Sequence, residues 1–306
     1  MKKIIITGAT GSIGKKICPR LIENGNEVII FTRNSEKAQK VLPGVKKFID
    51  WNYYQPDRWK NELNGIDAVI HLAGANLGAK RWNKKYKRLA YDSRVISTRN
   101  LVEAIKNVDK KPETFICASA VGYYGDRKDE ELYESSIPAE NYLANLCRDW
   151  EAEAVKIEEI GVRRVSVRTG LVLDNGEGIL KQMVPAFKIF LGGYLGNGKQ
   201  WFPWIHIDDV AGIYLHAIGN EELSGAVNAS SPGIVTMKKF AKSLGKILNR
   251  PALFPVPKFA LKITAGEIAD YAIMSQRISV NNILKSGYEF KFENLDEALR
   301  DLINRI

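Results

Sequence analysis

Eight residues near the start of the chain have the types and spacing to hold a phosphate. Thr7-Gly8-Ala9-Thr10-Gly11-Ser12-Ile13-Gly14 follows a run of isoleucines and opens a helical pattern. A glycine loop between a strand and a helix gathers backbone N–H groups at the positive helix end, where a pyrophosphate can sit. Gly8 permits the tight turn, Gly11 a close approach of backbone to phosphate, and Gly14 close helix-to-strand packing. Thr10, Ser12 and Ile13 complete the cradle. A glycine triplet alone is weak evidence, and its place directly after an N-terminal strand gives it weight. The bland alternative is a tight turn with no ligand.

The next strand bears on which dinucleotide would fit. It ends Phe31-Thr32-Arg33-Asn34-Ser35. NAD sites usually place an acid here to accept the ribose hydroxyls, whereas a 2′-phosphate needs a cation. No acid follows Thr32, and Arg33 can pair with phosphate through two parallel hydrogen bonds. The pattern predicts NADP(H) in preference to NAD(H), against the alternative of a solvated loop arginine.

The elements that must position these residues alternate regularly. Strands are expected at 3–7, 27–32, 46–49, 68–72, 114–119 and 164–168, with helices at 13–24, 83–106 and 141–160 between them. Runs of Ile and Val without polar alternation, separated by helices, indicate a parallel sheet covered on both faces. The expected fold is α/β, a Rossmann doubly wound parallel sheet with a smaller C-terminal substrate lobe. Residues 1–170 form the dinucleotide-binding domain, and about 205–230 return to its core. Residues 171–204 and 231–306 make the lobe. A strand at 226–229 is expected in that return to the core, and an extended Pro251 to Pro257 segment and a helix at 295–303 in the lobe.

Bulk properties exclude several classes. The 306 residues are 45% hydrophobic and 26% charged, ordinary for a globular protein. No apolar stretch is long enough to span a membrane, and the first residues run into a glycine loop rather than a cleavage site. A cytoplasmic protein is expected. Cys18, Cys117 and Cys147 are isolated and read as buried thiols. Three histidines without clustered acids give a metal site no support. The net charge of +10 suggests anion affinity, densest at Lys80-Arg81-Trp82-Asn83-Lys84-Lys85-Tyr86-Lys87-Arg88. That run reads as a solvated helix face or an electropositive rim. Nucleic acid is the weakest reading, since its recognition signatures are missing.

Further segments carry a resemblance. They include His71-Leu72-Ala73-Gly74-Ala75-Asn76, Asp92-Ser93-Arg94 and Ala118-Ser119-Ala120-Val121-Gly122-Tyr123-Tyr124-Gly125. Others are Leu146-Cys147-Arg148-Asp149-Trp150-Glu151, Arg168-Thr169-Gly170-Leu171-Val172-Leu173 and Trp204-Ile205-His206-Ile207-Asp208-Asp209. Together with the glycine loop they resemble the extended short-chain dehydrogenase/reductase superfamily. The resemblance is to its NAD-dependent epimerase/dehydratase-like subgroup with a C-terminal domain of unknown function, nearly end to end. It implies that Leu72, Ala73 and Gly74 line the cofactor, that Asp50 or Trp51 lies near the adenine, and that Val172 meets the nicotinamide. Arg94 would reach a cofactor phosphate or ribose, or stand as a surface arginine. Asp208 would cap the helix that follows it. Relatives pair through two long helices, here 83–106 and 141–160, which implies a homodimer.

The superfamily's chemistry rests on Ser or Thr with Tyr-x-x-x-Lys on one helix, the lysine lowering the tyrosine pKa. The resemblance implies Ser119 and Tyr142 as catalytic residues, with Ala120 an alternative register for the serine and simple packing an alternative role for Tyr142. Four residues after Tyr142 stands Leu146, and the adjacent register gives Leu143 and Cys147. No lysine is present in either. An unperturbed tyrosine is about one part in a thousand ionised at pH 7, a deficit of roughly 4 kcal/mol. Two functions remain: an NADP(H)-dependent oxidoreductase or epimerase acting on a small hydroxyl or carbonyl substrate such as a nucleotide sugar, or a non-catalytic NADP(H)-binding redox sensor or scaffold.

Overall fold

In the computed structural model, which describes residues 1–304, seven parallel strands form one sheet. They are β1 (Lys3–Thr7), β2 (Glu27–Thr32), β3 (Lys47–Asp50), β4 (Ala68–His71), β5 (Thr114–Ala120), β6 (Arg163–Thr169) and β7 (Gly225–Ala229). Their spatial order is β7-β6-β5-β4-β1-β2-β3. The chain builds outward from β1 through β2 to β3, then crosses back to lay β4 on the other side of β1. The reversal opens a crevice above the carboxyl ends of β1 and β4, where open α/β sheets bind their ligands.

Burial explains the unbroken apolar strands. Ile4, Ile5 and Ile6 are all fully buried. Ile4 and Ile6 join Val28, Ile30 and Ile70 on one face, while Ile5 joins Ile29, Phe31 and Val69 on the other. Helices α1 (Ser12–Glu23) and α7 (Ile207–Gly219) cover the first face. The second lies under α4 (Ser97–Lys106) and α5 (Tyr142–Val155). Side chains alternate across a strand, so a sheet covered twice must be apolar at successive positions.

The expected helix at 83–106 is continuous but not uniform. It comprises α3 (Lys84–Tyr91), a π turn (Asp92–Ile96) and α4. The Asn83 side chain accepts the Tyr86 N–H at 2.8 Å and caps the start. The helix α2 (Ser35–Val41) is capped in the same way by Asn34, and α5 by Asn141.

The smaller lobe contains α6 (Gly178–Lys188), α8 (Met237–Leu248), α9 (Lys258–Ala265), α10 (Ile268–Ala272), α11 (Asn281–Lys285) and α12 (Leu295–Ile303). Short two-stranded ribbons join distant segments, among them Gly193–Leu195 with Phe254–Val256 and Glu131–Leu132 with Arg277–Ile278. The helix α7 corrects one expectation. Its N-cap is His206, whose Nδ1 accepts the Asp208 N–H at 3.1 Å, so Asp208 lies inside the first turn. There it receives Arg20 of α1 at 2.7 Å. Asp209 accepts the N–H groups of Lys291 and Phe292 and thereby fixes the lobe to the core.

A buried polar network crosses from α5 to the sheet. Arg168, 4% exposed, donates to both oxygens of Glu151, at 2.9 and 2.8 Å. Its third nitrogen reaches the Tyr124 hydroxyl and the Glu134 carbonyl, each at 2.9 Å. Tyr124 in turn donates to Asn228 of β7 at 2.6 Å. Removing one member of a buried ion pair strands its partner, which costs about 3–5 kcal/mol. Glu151→Ala is therefore expected to lower stability by about that amount in urea unfolding. Ser119→Ala, which removes one hydrogen bond to Glu151, should cost only about 1 kcal/mol; equal losses would show the network to be misread.

Candidate active site and cofactor cleft

The glycine loop is built by close contact. Gly8 has φ +71°, and a Cβ there would lie 2.8 Å from the Ala73 nitrogen and the Leu72 carbonyl carbon. A Cβ on Gly14 would lie 2.5 Å from the Ala9 Cα. Both positions bring backbone against backbone and leave no room for a side chain. The Gly11 N–H donates to the Gly8 carbonyl at 3.0 Å, which closes the turn. No side chain caps α1, unlike α2, α3 and α5. Its first-turn amides, beginning at Ser12 and Ile13, are left open to a ligand.

A cleft of ≈ 700 Å³ extends from this loop across the ends of β1, β2 and β3. Gly8, Thr10 and Gly11 line it, together with Thr32, Arg33, Asp50, Trp51, Leu72, Ala73 and Gly74. Sequence reasoning missed Arg58, Tyr53 and Tyr54, which share the same wall. They lie in the irregular stretch between β3 and β4, where periodicity carries no signal. Arg33 and Arg58 are both exposed, so this end of the cleft offers two guanidinium groups. The Asp50 carboxylate accepts the Ser35 N–H at 3.1 Å and its hydroxyl at 2.7 Å, which ties it to the start of α2. Trp51 is buried among Phe31, Tyr53 and Trp59, and its Nε1 has no hydrogen-bond partner among the described residues.

Beyond Leu72 and Gly74, which both spaces share, lies a second cavity of ≈ 200 Å³. Ile13, Arg94, Ser119, Ala120, Leu146, Cys147 and Thr169 contribute to its wall. Leu146 and Cys147 are the positions where either register of the Tyr-x-x-x-Lys spacing would seat a lysine. The Ser119 hydroxyl donates to Glu151 at 2.5 Å, so its proton faces the Arg168 network. Tyr142 lies outside this lining, and its hydroxyl donates to the Lys87 carbonyl at 2.9 Å. Burial pushes its phenol up to about 12, and the Cys147 thiol likewise to about 12. Ser119 thus lines the cavity and Tyr142 does not, and each hydroxyl is bonded to a different partner.

Other candidate residues fall elsewhere. Val172 lies in a strand, Leu171–Asp174, paired with Trp204–His206, and lines neither cavity. Gly14 serves helix packing rather than the cleft surface. The basic stretch meets the second lobe: Lys87 pairs with Glu267 at 2.6 Å, and Trp82 packs 5.3 Å from Tyr271. Asp301 comes within 4.8 Å of His206 and Asp208, a grouping that sequence spacing could not reveal. Arg20, Lys16 and Lys291 bring positive charge to Asp208 there.

Residues 4–229 match the NAD dependent epimerase/dehydratase family, and residues 256–302 match a domain of unknown function, DUF1731. The chain is 35% identical to the chloroplastic SDR39U1 homolog of Arabidopsis thaliana, an epimerase family protein, over 98% of this chain and 86% of that one. It is 36% identical to an epimerase family protein of Staphylococcus saprophyticus, over 99% of this chain and 100% of that one. Among solved structures, human epimerase family protein SDR39U1, crystallised with NADPH, superposes with a TM-score of 0.89 at 30% identity. That match covers 99% of this chain and 100% of the human one. Among the described residues no helix is long and apolar enough to cross a membrane.

His71 holds the floor of the site. Its Nδ1 lies 2.7 Å from the Thr7 hydroxyl, which also accepts the Ala73 N–H at 3.2 Å. Its Nε2 lies 3.2 Å from the Ser97 hydroxyl, whose own proton goes to the Ser93 carbonyl at 2.8 Å. These bonds assign the proton to Nε2 and leave Nδ1 as acceptor for Thr7. Burial, aided by the Arg94 charge, lowers the His71 pKa to about 3. Unfolded, the imidazole titrates near 6.5, so below that pH only the unfolded chain takes up the proton. The neutral ring's contribution is complete above about 6.5 and falls by roughly 1.4 kcal/mol per pH unit toward pH 3. Urea unfolding of wild type and His71→Gln between pH 7 and 5 checks this. The slope due to His71 should vanish in the variant, and parallel curves would refute the assignment.

Proposed function

Because the chain belongs to the NAD dependent epimerase/dehydratase family, we propose that it binds NADP(H) along the cleft. In this reading it uses the cofactor as an oxidoreductase or epimerase on a small hydroxyl or carbonyl substrate, nucleotide sugars included. The carrying observation is the combination of an uncapped α1 start with two exposed guanidinium groups at one end of the same cleft. The residues fit such a group. The Gly8 and Gly14 contacts hold the loop in the shape a pyrophosphate needs, and Trp51 keeps a buried N–H in reserve beside the cleft. The relative crystallised with NADPH supports the same cofactor.

The open amides of α1 would hold the pyrophosphate, and Arg33 with Arg58 the 2′-phosphate. Leu72 and Ala73 would pack against the adenosine side, with Asp50 and Trp51 near the base. Gly74, Arg94 and Ser119 would face the nicotinamide half. Bound there, the cofactor supplies the hydride. The protein's own task is to orient the substrate and manage one proton. Tyr142 stays protonated through the physiological range, which suits it to give a proton rather than take one. That favours carbonyl reduction, provided the ring first leaves the Lys87 carbonyl.

The second reading, an NADP(H) binder without turnover, is favoured by one observation. Both hydroxyl protons of the expected catalytic pair are already engaged, on Glu151 and on Lys87. A turnover screen over nucleotide sugars and small carbonyls, followed at the NADPH absorbance, separates the two. Tyr142→Phe should lower any turnover at least tenfold and leave NADPH affinity within about threefold.

Cofactor choice has its own test by titration calorimetry. Arg33→Ala should weaken NADPH binding about tenfold or more and leave NADH binding nearly unchanged, with Arg58→Ala adding to the loss. Equal weakening of both nucleotides would remove the 2′-phosphate assignment.

A further inference from the structure

Arg94 occupies an unusual electrostatic position. It sits in the π turn Asp92–Ile96, a geometry frequent at functional sites. Its guanidinium lies so close under Gly74 that a Cβ there would be 2.9 Å from Cζ. Nη1 donates to the Ala90 carbonyl at 3.2 Å and Nη2 to the Ala75 carbonyl at 3.0 Å. The face of Trp150 lies 5.4 Å from Cζ. The guanidinium is therefore fixed in place, but its partners are all neutral.

No carboxylate among the described residues pairs with it. The titratable groups around it include Cys147 and Tyr142, both held in their protonated, uncharged forms by burial. His71, also close, is kept neutral. The carboxylates on the same side of the sheet are engaged elsewhere: Glu151 through both oxygens by Arg168, Asp92 by Arg88, Asp149 by Arg148, and Glu153 by Arg99 and Lys156. Arg94 thus presents an uncompensated positive charge to the ≈ 200 Å³ cavity. In a partly buried space with apolar walls such a charge acts strongly on whatever enters.

The cavity continues the dinucleotide cleft on the side away from Arg33 and Arg58. With the 2′-phosphate at those arginines and the pyrophosphate on α1, the nicotinamide half must extend toward Arg94. We propose that Arg94 makes this site select the reduced cofactor, whose nicotinamide ring is uncharged, over the oxidised cofactor, whose ring is cationic. The inference rests on the NADP(H) reading and adds to it a preference between redox states. A neutral ring meets the guanidinium without penalty. A cationic ring brings two like charges together where little water separates them. The protein is then held in its NADPH-loaded form.

Titration calorimetry of the full chain with NADPH and NADP⁺ tests the proposal without any substrate. The wild type should bind NADPH at least tenfold more tightly than NADP⁺. Arg94→Gln should shrink that ratio at least fivefold, chiefly by tightening NADP⁺, and Arg94→Lys should preserve it. A purely structural role would weaken both nucleotides together and leave the ratio unchanged, which would overturn the proposal. Equal binding of the two nucleotides by the wild type would overturn it even if every variant misfolded. Failure of the wild type to bind either nucleotide would overturn the NADP(H) reading as well, a result distinct from equal binding.

Discussion

The whole arrangement depends on how closely two stretches of backbone approach each other at the top of the sheet. Gly8, at the end of β1, lies against Leu72 and Ala73, just past β4, with no space for a side chain between them. The contact is secured from below by Thr7 and His71, whose hydrogen bonds tie both strand ends to α4. It fixes the direction in which α1 leaves the sheet and therefore where its open amides point. It also sets the shared wall of Leu72 and Gly74 that joins the two cavities. A crevice at a strand-order reversal is generic to this architecture. Its conversion into a narrow channel with a defined floor depends on these few atoms.

The charged groups around that channel divide into two kinds. Arg168 and Glu151 neutralise each other inside the protein, with Tyr124 and the Glu134 carbonyl taking the remaining arginine nitrogen, and draw the Ser119 hydroxyl into their network. Arg33, Arg58 and Arg94 line the cavities instead. A buried pair rigidifies and is inert toward ligands, whereas a cation held by neutral carbonyls remains available. The absence of a lysine at 146 and 147 therefore does not leave this end of the channel without positive charge. That charge comes from a different helix.

Much of the architecture was legible in the residues. The strands β1 and β2 coincide with the Ile and Val runs, because a sheet covered on both faces demands apolar residues at successive positions. The final helix, 295–303, was equally clear from its amphipathic pattern. The π turn at 92–96 was not, since a shift of hydrogen-bond partner within a helix leaves the side-chain period almost intact. The identity of the α7 cap was misread because His206 and Asp208 can each accept an N–H, and only geometry separates them. Arg58, Tyr53 and Tyr54 escaped because a turn at 53–54 and the short 3-10 helix Pro56–Arg58 bring them to the cleft, not a periodic element. For Ser119 and Tyr142, type and position were readable. The direction of each hydroxyl was not, because it is set by Glu151 and Lys87 from elsewhere in the fold.

The ribbons that join distant segments give the molecule a woven character. The chain leaves the main sheet after β6, builds part of the second lobe, returns to add α7 and β7, and departs again. Glu131–Leu132, from the first half, is paired with Arg277–Ile278 near the end of the chain. Contacts of such long sequence separation form late and slowly, since the intervening loops must close first. A chain emerging from the ribosome would therefore hold its glycine loop and six strands well before the sheet gains its last edge. Until β7 docks, β6 presents an unpaired row of amides and carbonyls. The interval before β7 docks is thus when this open edge is available to another chain.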